Sequence, residues 1–363
     1  MSVDYEQTRA VTHEKLEGHL DDLGCGRDIK SLVSFAKAYL GMYLDLEKNI
    51  EPDERVKLLA DEDVVENIWL GFSFLLNSKH DITLKIIAQA YVEDTRLDIG
   101  YILLAALDRE IRVRGSVPEL DDELMSIMIC FYYINRNELG NLWIGQCAET
   151  HAPLFANTMI EFWQAMEAMG SNKKPGFREI LYKPEYNLIL QSLTLPVMRA
   201  FAHLNKYFLR SLLLSAFRYA PMDELLAVSC DHIENEKNMP VVNQVYWLST
   251  AYLLMPDKYE SILFNYVGRT REKALPMLNY IEAVLSQEGK QRFDLTASML
   301  ASLLHMIAPK FRPVRDKFGN LDDNAQKIIW LFDLLRKDKS IAAQHAISDL
   351  KKIRVMKLYS EYL

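Results

Sequence analysis

The side chains of this chain that could do chemistry fall into a few groups. Cys147 and His151 stand at i, i+4, and Cys230 and His232 at i, i+2. A thiolate nucleophile needs a neighbouring base and a third group to orient that base. A zinc ion needs three or four ligands in closed geometry. Neither pair has a second pair at ligand spacing, and neither HExxH nor GxSxG occurs. These residues read as ordinary core or surface positions. Asp61-Glu62-Asp63 and Asp121-Asp122-Glu123 stand just before helical runs. There, carboxylates cap orphan N–H groups and oppose the positive helix end; an acid/base pair or cation site is the competing reading. Gly170-Ser171-Asn172-Lys173-Lys174-Pro175-Gly176 has glycines and lysines. It lacks the spacing and trailing Ser/Thr of a phosphate-binding loop, so a flexible basic loop is expected.

The remaining candidate is Lys310-Phe311-Arg312-Pro313-Val314-Arg315-Asp316-Lys317-Phe318. Cations interleaved with phenylalanine could hold a phosphate backbone or an acidic peptide. Lys310, Phe311, Arg312, Arg315 and Lys317 are the residues expected to touch a partner. No catalytic residue, cofactor or metal ligand is expected anywhere in the chain.

The elements that position these residues are read as helices. The 363 residues contain only 14 glycines and 12 prolines, which favours long helices over many tight turns. Half the residues are hydrophobic and a quarter charged. The net charge of −8 argues against a general nucleic-acid binder. Residues 1–66 carry 16 acids and 8 bases, whereas residues 310–363 carry 7 acids and 12 bases. An acidic head and a mildly basic tail suit solvated faces or end-on partner contacts. Four scattered cysteines suit a reducing compartment. The first residues, MSVDYEQTRAV, lack a basic and then apolar leader. The longest apolar run, LMSIMICFYYI at 124–134, is too short to span a bilayer. A cytoplasmic protein without a membrane segment is the expectation.

Apolar spacing predicts about eighteen helices, including 5–22, 28–44, 81–92, 138–147, 186–194, 196–205, 291–307 and 340–353. Asp28, Asp81, Asp223 and Ser340 are the expected caps, and Asp257 is placed to cap the helix after Pro256. Residues 241–267, VVNQVYWLSTAYLLMPDKYESILFNYV, read as two helices joined at Pro256-Asp257, each apolar over more than one stripe. Pro221 lies 35 residues before Pro256, and Leu213/Leu248, Ala216/Ala251 and Phe217/Tyr252 align around the two prolines. Looser copies are NIWLGFSFLL at 67–76, with Phe74 matching Tyr252, and ASMLASLLHMIAPKF at 297–311. Irregular repeats of this size predict an all-α fold, an α-solenoid of stacked helical hairpins of the HEAT or armadillo type. Residues 1–170 and 187–363 are expected to form its N- and C-terminal halves, with 171–186 as a loop or joint.

Three features of residues 28–76 carry a family resemblance: Ala38-Tyr39-Leu40-Gly41 at a helix end, Glu51-Pro52-Asp53-Glu54-Arg55 at a helix start, and Leu70-Gly71-Phe72. QVYWLSTAYLLMPDKYESILFNYV at 244–267 and WLFDLLRKDKSIAAQHAISDL at 330–350 extend it. These stretches resemble large bacterial NACHT-type NTPases, several linked to anti-phage defence, which continue into HEAT-like helical arrays. The resemblance implies an NTP-binding domain N-terminal to the array. No such motif stands in this sequence, so no ATP site is carried over. The function expected is a non-enzymatic recognition or scaffold module that binds a protein, such as an NTPase or effector domain, with nucleic acid and membrane not expected as partners. The alternatives are a HEAT-like enzyme on nucleic acid, such as a DNA glycosylase, and peptide or carbohydrate binding through the tryptophans.

Overall fold

The computed structural model describes residues 5–43, 49–135, 141–201, 203–235, 238–287, 295–315 and 317–360. The described residues form helices and turns, with one isolated antiparallel bridge between Arg315 and Leu321. The chain divides into two compact units, Met1–Leu193 and Thr194–Leu363.

The first unit holds α1 (Tyr5–Leu16), α2 (Leu20–Gly24), α3 (Ile29–Tyr39), α4 (Pro52–Lys57), α5 (Glu62–Leu76) and α6 (Leu84–Val92). It continues with α7 (Ile99–Arg114), α8 (Asp122–Asn135), α9 (Asn141–Thr150), α10 (Ala152–Ala168) and α11 (Phe177–Tyr182). Helix α5 shows how sequence sets such an element. Asp61 accepts from the Val64 N–H at 3.1 Å and starts it. Val64, Ile68, Phe72 and Leu75, spaced at helical intervals, are its buried stripe. Helices α3, α5 and α7 pack on one another, α2 covers α5, and α6, α8 and α10 form a second group. Helix α7 is buried continuously from Gly100 to Asp108, as befits a helix covered on several sides.

The segment 171–186, expected as a loop or joint, carries α11 and a 3-10 turn at Pro184–Tyr186. Phe177 and Tyr186 are buried, and the Trp163 indole donates to the Pro175 carbonyl at 3.0 Å. Gly176 adopts φ +76° and presses against the Tyr133 ring, where a Cβ has no room. The division between the units falls at 193/194, inside α12 (Asn187–Ala200).

Within the second unit follow α13 (Lys206–Tyr219), α14 (Met222–Asn235), α15 (Val241–Leu254), α16 (Pro256–Val267) and α17 (Arg271–Leu285). Then come α18 (Ala297–Ile307), a 3-10 turn at Ala308–Lys310, α19 (Asp323–Lys337), α20 (Ile341–Leu350) and α21 (Arg354–Ser360). Helix α15 is at its centre. Every residue from Val245 to Leu253 is buried, and α13, α14, α16 and α17 all pack against it. Helix α17 packs in turn on α19, and α18 on α19 and α20. Leu213, Ala216 and Phe217 of α13 and their counterparts Leu248, Ala251 and Tyr252 of α15 are all buried.

Several expectations are corrected. Helices expected at 186–194 and 196–205 give one helix, α12, which runs through Pro196 and ends at Ala200; residue 202 lies outside the described residues. Burial of Leu193 and Val197 on either side of the proline offsets the lost N–H bond. Helix α6 starts at Thr83, whose hydroxyl accepts from the Ile86 N–H, not at Asp81. Asp223 and Asp257 lie inside the first turns of α14 and α16 rather than at their caps. Helix α16 buries only the stripe Tyr259, Leu263 and Val267, and Ile262 is exposed, because one side alone is covered. Phe74 is exposed where Tyr252 is buried, so the likeness of 67–76 to α15 stops short of burial. Helices α11 and α21 were not anticipated. The expected helix residues 138–140 and 291–294 lie outside the described residues.

Candidate binding surface

The described residues of the interleaved basic stretch lie between α18 and α19 and are tied together by hydrogen bonds. The Asp322 N–H donates to the Val314 carbonyl at 2.9 Å. Asp322 Oδ2 accepts from the Val314 N–H at 3.1 Å, and its Oδ1 caps α19 by accepting from Asn324 and Ala325. Gly319 takes φ +86°, a left-handed turn that suits glycine, and its carbonyl accepts from Arg315 Nη1 at 2.7 Å.

The five expected contact residues separate in space. Phe311 is a correction: it is 2% exposed and belongs to the core. The Tyr359 hydroxyl of α21 donates to its carbonyl. Lys310 is half-buried, and its ammonium donates to the Met306 carbonyl. Burial holds its pKa below the ordinary lysine value. Arg312, Arg315 and Lys317 are exposed. Lys317 sits 5.0 Å over the Phe318 ring.

One residue of this surface has no signal in the local sequence. Arg271, first residue of α17, places its guanidinium 5.1 Å from the centre of the Phe311 ring. Arg271, Lys310 and Arg312 therefore line one depression of about 470 Å³, with Pro309, Val314 and Asp322. Two guanidinium-bearing residues line one concavity, while the Lys310 ammonium is held by the Met306 carbonyl; such a pair suits a carboxylate or phosphate ligand. The pattern 310–318 points at the loop, but Arg271 lies 39 residues upstream and only folding brings it there.

The other candidates are built differently. Cys147 is buried with its sulfur 3.5 Å from Met125 Sδ, and burial pushes its thiol up to about 12. The His151 ring bonds Thr150 Oγ1 at 2.7 Å. Cys230 Sγ lies 2.9 Å from the Tyr259 hydroxyl. His232 is buried, stacks 4.3 Å from Trp247 and meets the Met198 carbonyl at 2.8 Å. Asp61 and Asp121 accept from backbone N–H groups three residues on, as helix caps do. Among the described residues, no three His, Cys, Asp or Glu side chains gather as a metal site. None of the described helices is long and apolar enough to cross a membrane. Trp143, Trp163 and Trp247 are buried, and Trp69 and Trp330 half-buried.

A polar network inside the first unit was missed from sequence. The Tyr39 hydroxyl donates to Asp108 Oδ2 at 2.9 Å, and Arg112 Nε donates to the same oxygen at 2.7 Å. Arg112 also reaches Glu51 at 3.2 Å, and Arg55 Nη1 donates to the Tyr39 carbonyl at 2.9 Å. Burial and the Asp108 carboxylate push the Tyr39 phenol far above its ordinary value. These bonds tie α3, α4 and α7 together, and the Asp108 carboxylate is paired with Arg112. Further depressions among the described residues include one of about 450 Å³ between α1 and α3 and one of about 740 Å³ among α16, α18 and α20.

A scan against protein-family models, a search of curated proteins and a search of solved structures return no match to this chain.

Proposed function

We propose that the chain is a non-enzymatic protein-binding module whose second unit is an α-solenoid of stacked helix pairs. The observation that carries this reading is the next-but-one packing of α13 on α15, α15 on α17 and α17 on α19. In a solenoid the same helix of each successive pair stacks on its counterpart. The pairs α13/α14 and α15/α16, offset by 35 residues, bury Leu213 and Leu248, Ala216 and Ala251, and Phe217 and Tyr252 at equivalent points. Such stacks expose one helix row along their length, and a partner can be held over several pairs. The resemblance to NACHT-type arrays supports a place as the sensor part of a bacterial NTPase-linked defence system, in the cytoplasm.

Affinity capture with the full chain, followed by mass spectrometry and co-elution in gel filtration, tests the reading. A partner held in fixed stoichiometry is the expected result. Capture that yields no protein co-eluting with the chain contradicts it.

A further inference from the structure

We propose that residues 309–314, with Asp322 and the first residue of α17, form a docking site for an acidic, partly apolar peptide segment of a protein partner. The proposal rests on the scaffold reading above and gives the chemistry of its partner at one site. Arg271, Lys310 and Arg312 converge on a depression of about 470 Å³. Among the described residues, Arg312 makes no ion pair or hydrogen bond, and the Phe311 ring is the neighbour that holds Arg271. A guanidinium offers a rigid fork of donors that fits a carboxylate through two parallel bonds.

The site is set before a ligand arrives. Phe311 is fixed by burial and by Tyr359, so the face on which Arg271 rests does not move freely. The Val314–Asp322 bonds and the Arg315–Gly319 bond fix the loop that carries Arg312. Less ordering is then required on binding. Asp322 lines the same depression, but its two oxygens accept three backbone N–H bonds. Its charge is directed to the start of α19 rather than to Arg312.

Two features favour a peptide over a nucleic acid. Val314, which lines the depression, is 60% exposed, and Phe318, beside Lys317, is 77% exposed, which offers apolar surface next to the cations. A polyanion needs a long basic track, whereas here an aspartate shares the depression and the chain carries net −8.

The test is fluorescence anisotropy with the full chain and a labelled peptide of alternating glutamate and leucine. Its glutamine isostere and labelled oligothymidylate serve as comparison probes. The acidic peptide is expected to bind, with the isostere at least ~10-fold weaker, a difference of about 1.4 kcal/mol. The variant R271E/R312E should lose ~30-fold or more, and K337E/K339E, with the same charge change on exposed lysines, ~2-fold at most. Far-UV circular dichroism checks the fold. If R271E/R312E misfolds, R271Q/R312Q takes its place, with a ~10-fold loss expected. Equal affinity of R271E/R312E and K337E/K339E overturns the proposal. So does tighter binding of oligothymidylate than of the peptide. If a captured partner stays bound to R271E/R312E, the docking site falls and the scaffold reading stands. If the peptide binds as expected but no partner is captured, the scaffold reading is the one that fails.

Discussion

Trp247→Ala is the perturbation with the largest calculable effect on the second unit. Trp247 is 2% exposed in α15 and stacks on His232 of α14 at 4.3 Å with an interplanar angle of 14°. A buried indole removes on the order of 200 Å² from water. At ~25 cal/mol per Å² this is worth about 5 kcal/mol as an upper figure. Measured truncations of buried aromatic residues cost about 3–5 kcal/mol, cavity included. The helices around α15 are themselves closely packed and cannot collapse fully into the space, so a cost of about 4 kcal/mol is expected. With a urea slope of ~2 kcal/mol/M, the midpoint of the transition that unfolds this unit falls by ~2 M. Trp247→Phe keeps a ring against His232 and should lose less than half as much. The assay is equilibrium urea unfolding followed by circular dichroism. A Trp247→Ala midpoint within ~0.2 M of the parent would refute the claim that the ring joins α14 to α15.

Four further outcomes follow from named contacts. The Cys147 thiol, pushed up to about 12 by burial, should resist iodoacetamide at pH 8, while half-buried Cys25 and Cys230 react first; peptide mapping reads this. The raised value also means that Cys147 favours the fold below the ordinary thiol pKa of ~8.5 and that this contribution is lost as pH rises from there toward about 12, so Cys147→Ala should flatten the alkaline fall in unfolding midpoint. Asp108→Asn removes the carboxylate that Tyr39 and Arg112 share, leaving Arg112 with Glu51 alone, and should cost about 1–3 kcal/mol by urea unfolding; an unchanged midpoint would show that the network does not brace α3 against α7. Gly176→Ala strains a left-handed position and drives a methyl into the Tyr133 ring, so a cost of roughly 2–4 kcal/mol is expected, with an unaltered melting curve as the refuting result.

Features that depend on neighbours in sequence are legible in the sequence. The caps at Asp28 and Ser340 are single side chains reaching N–H groups three residues on, and both occur as expected. The helix after Pro256 begins there because a proline suits a first turn. What could not be read depends on distant chain. Lys310-Phe311-Arg312 reads as an exposed strip, yet Phe311 is buried and Tyr359, 48 residues later, donates to its carbonyl. Arg271 joins Arg312 only through folding. The spacing of Ile262 places it on an apolar face of α16, but burial depends on which neighbours cover that helix, and only one side is covered. Pro196 signals a break locally, and the packing of Leu193 and Val197 overrides it. The Tyr39–Asp108–Arg112 network spans residues 69 apart and leaves no pattern in the string.

The central claim is that stacked helix pairs present a surface for a protein. Hydrogen exchange on the chain alone and in complex with the captured partner tests it most directly. The account predicts slowed exchange in matching segments of several successive pairs from α13 to α20, together with the 308–323 loop. Protection confined to a single helix, or a chain whose exchange is the same with and without the captured protein, would contradict it.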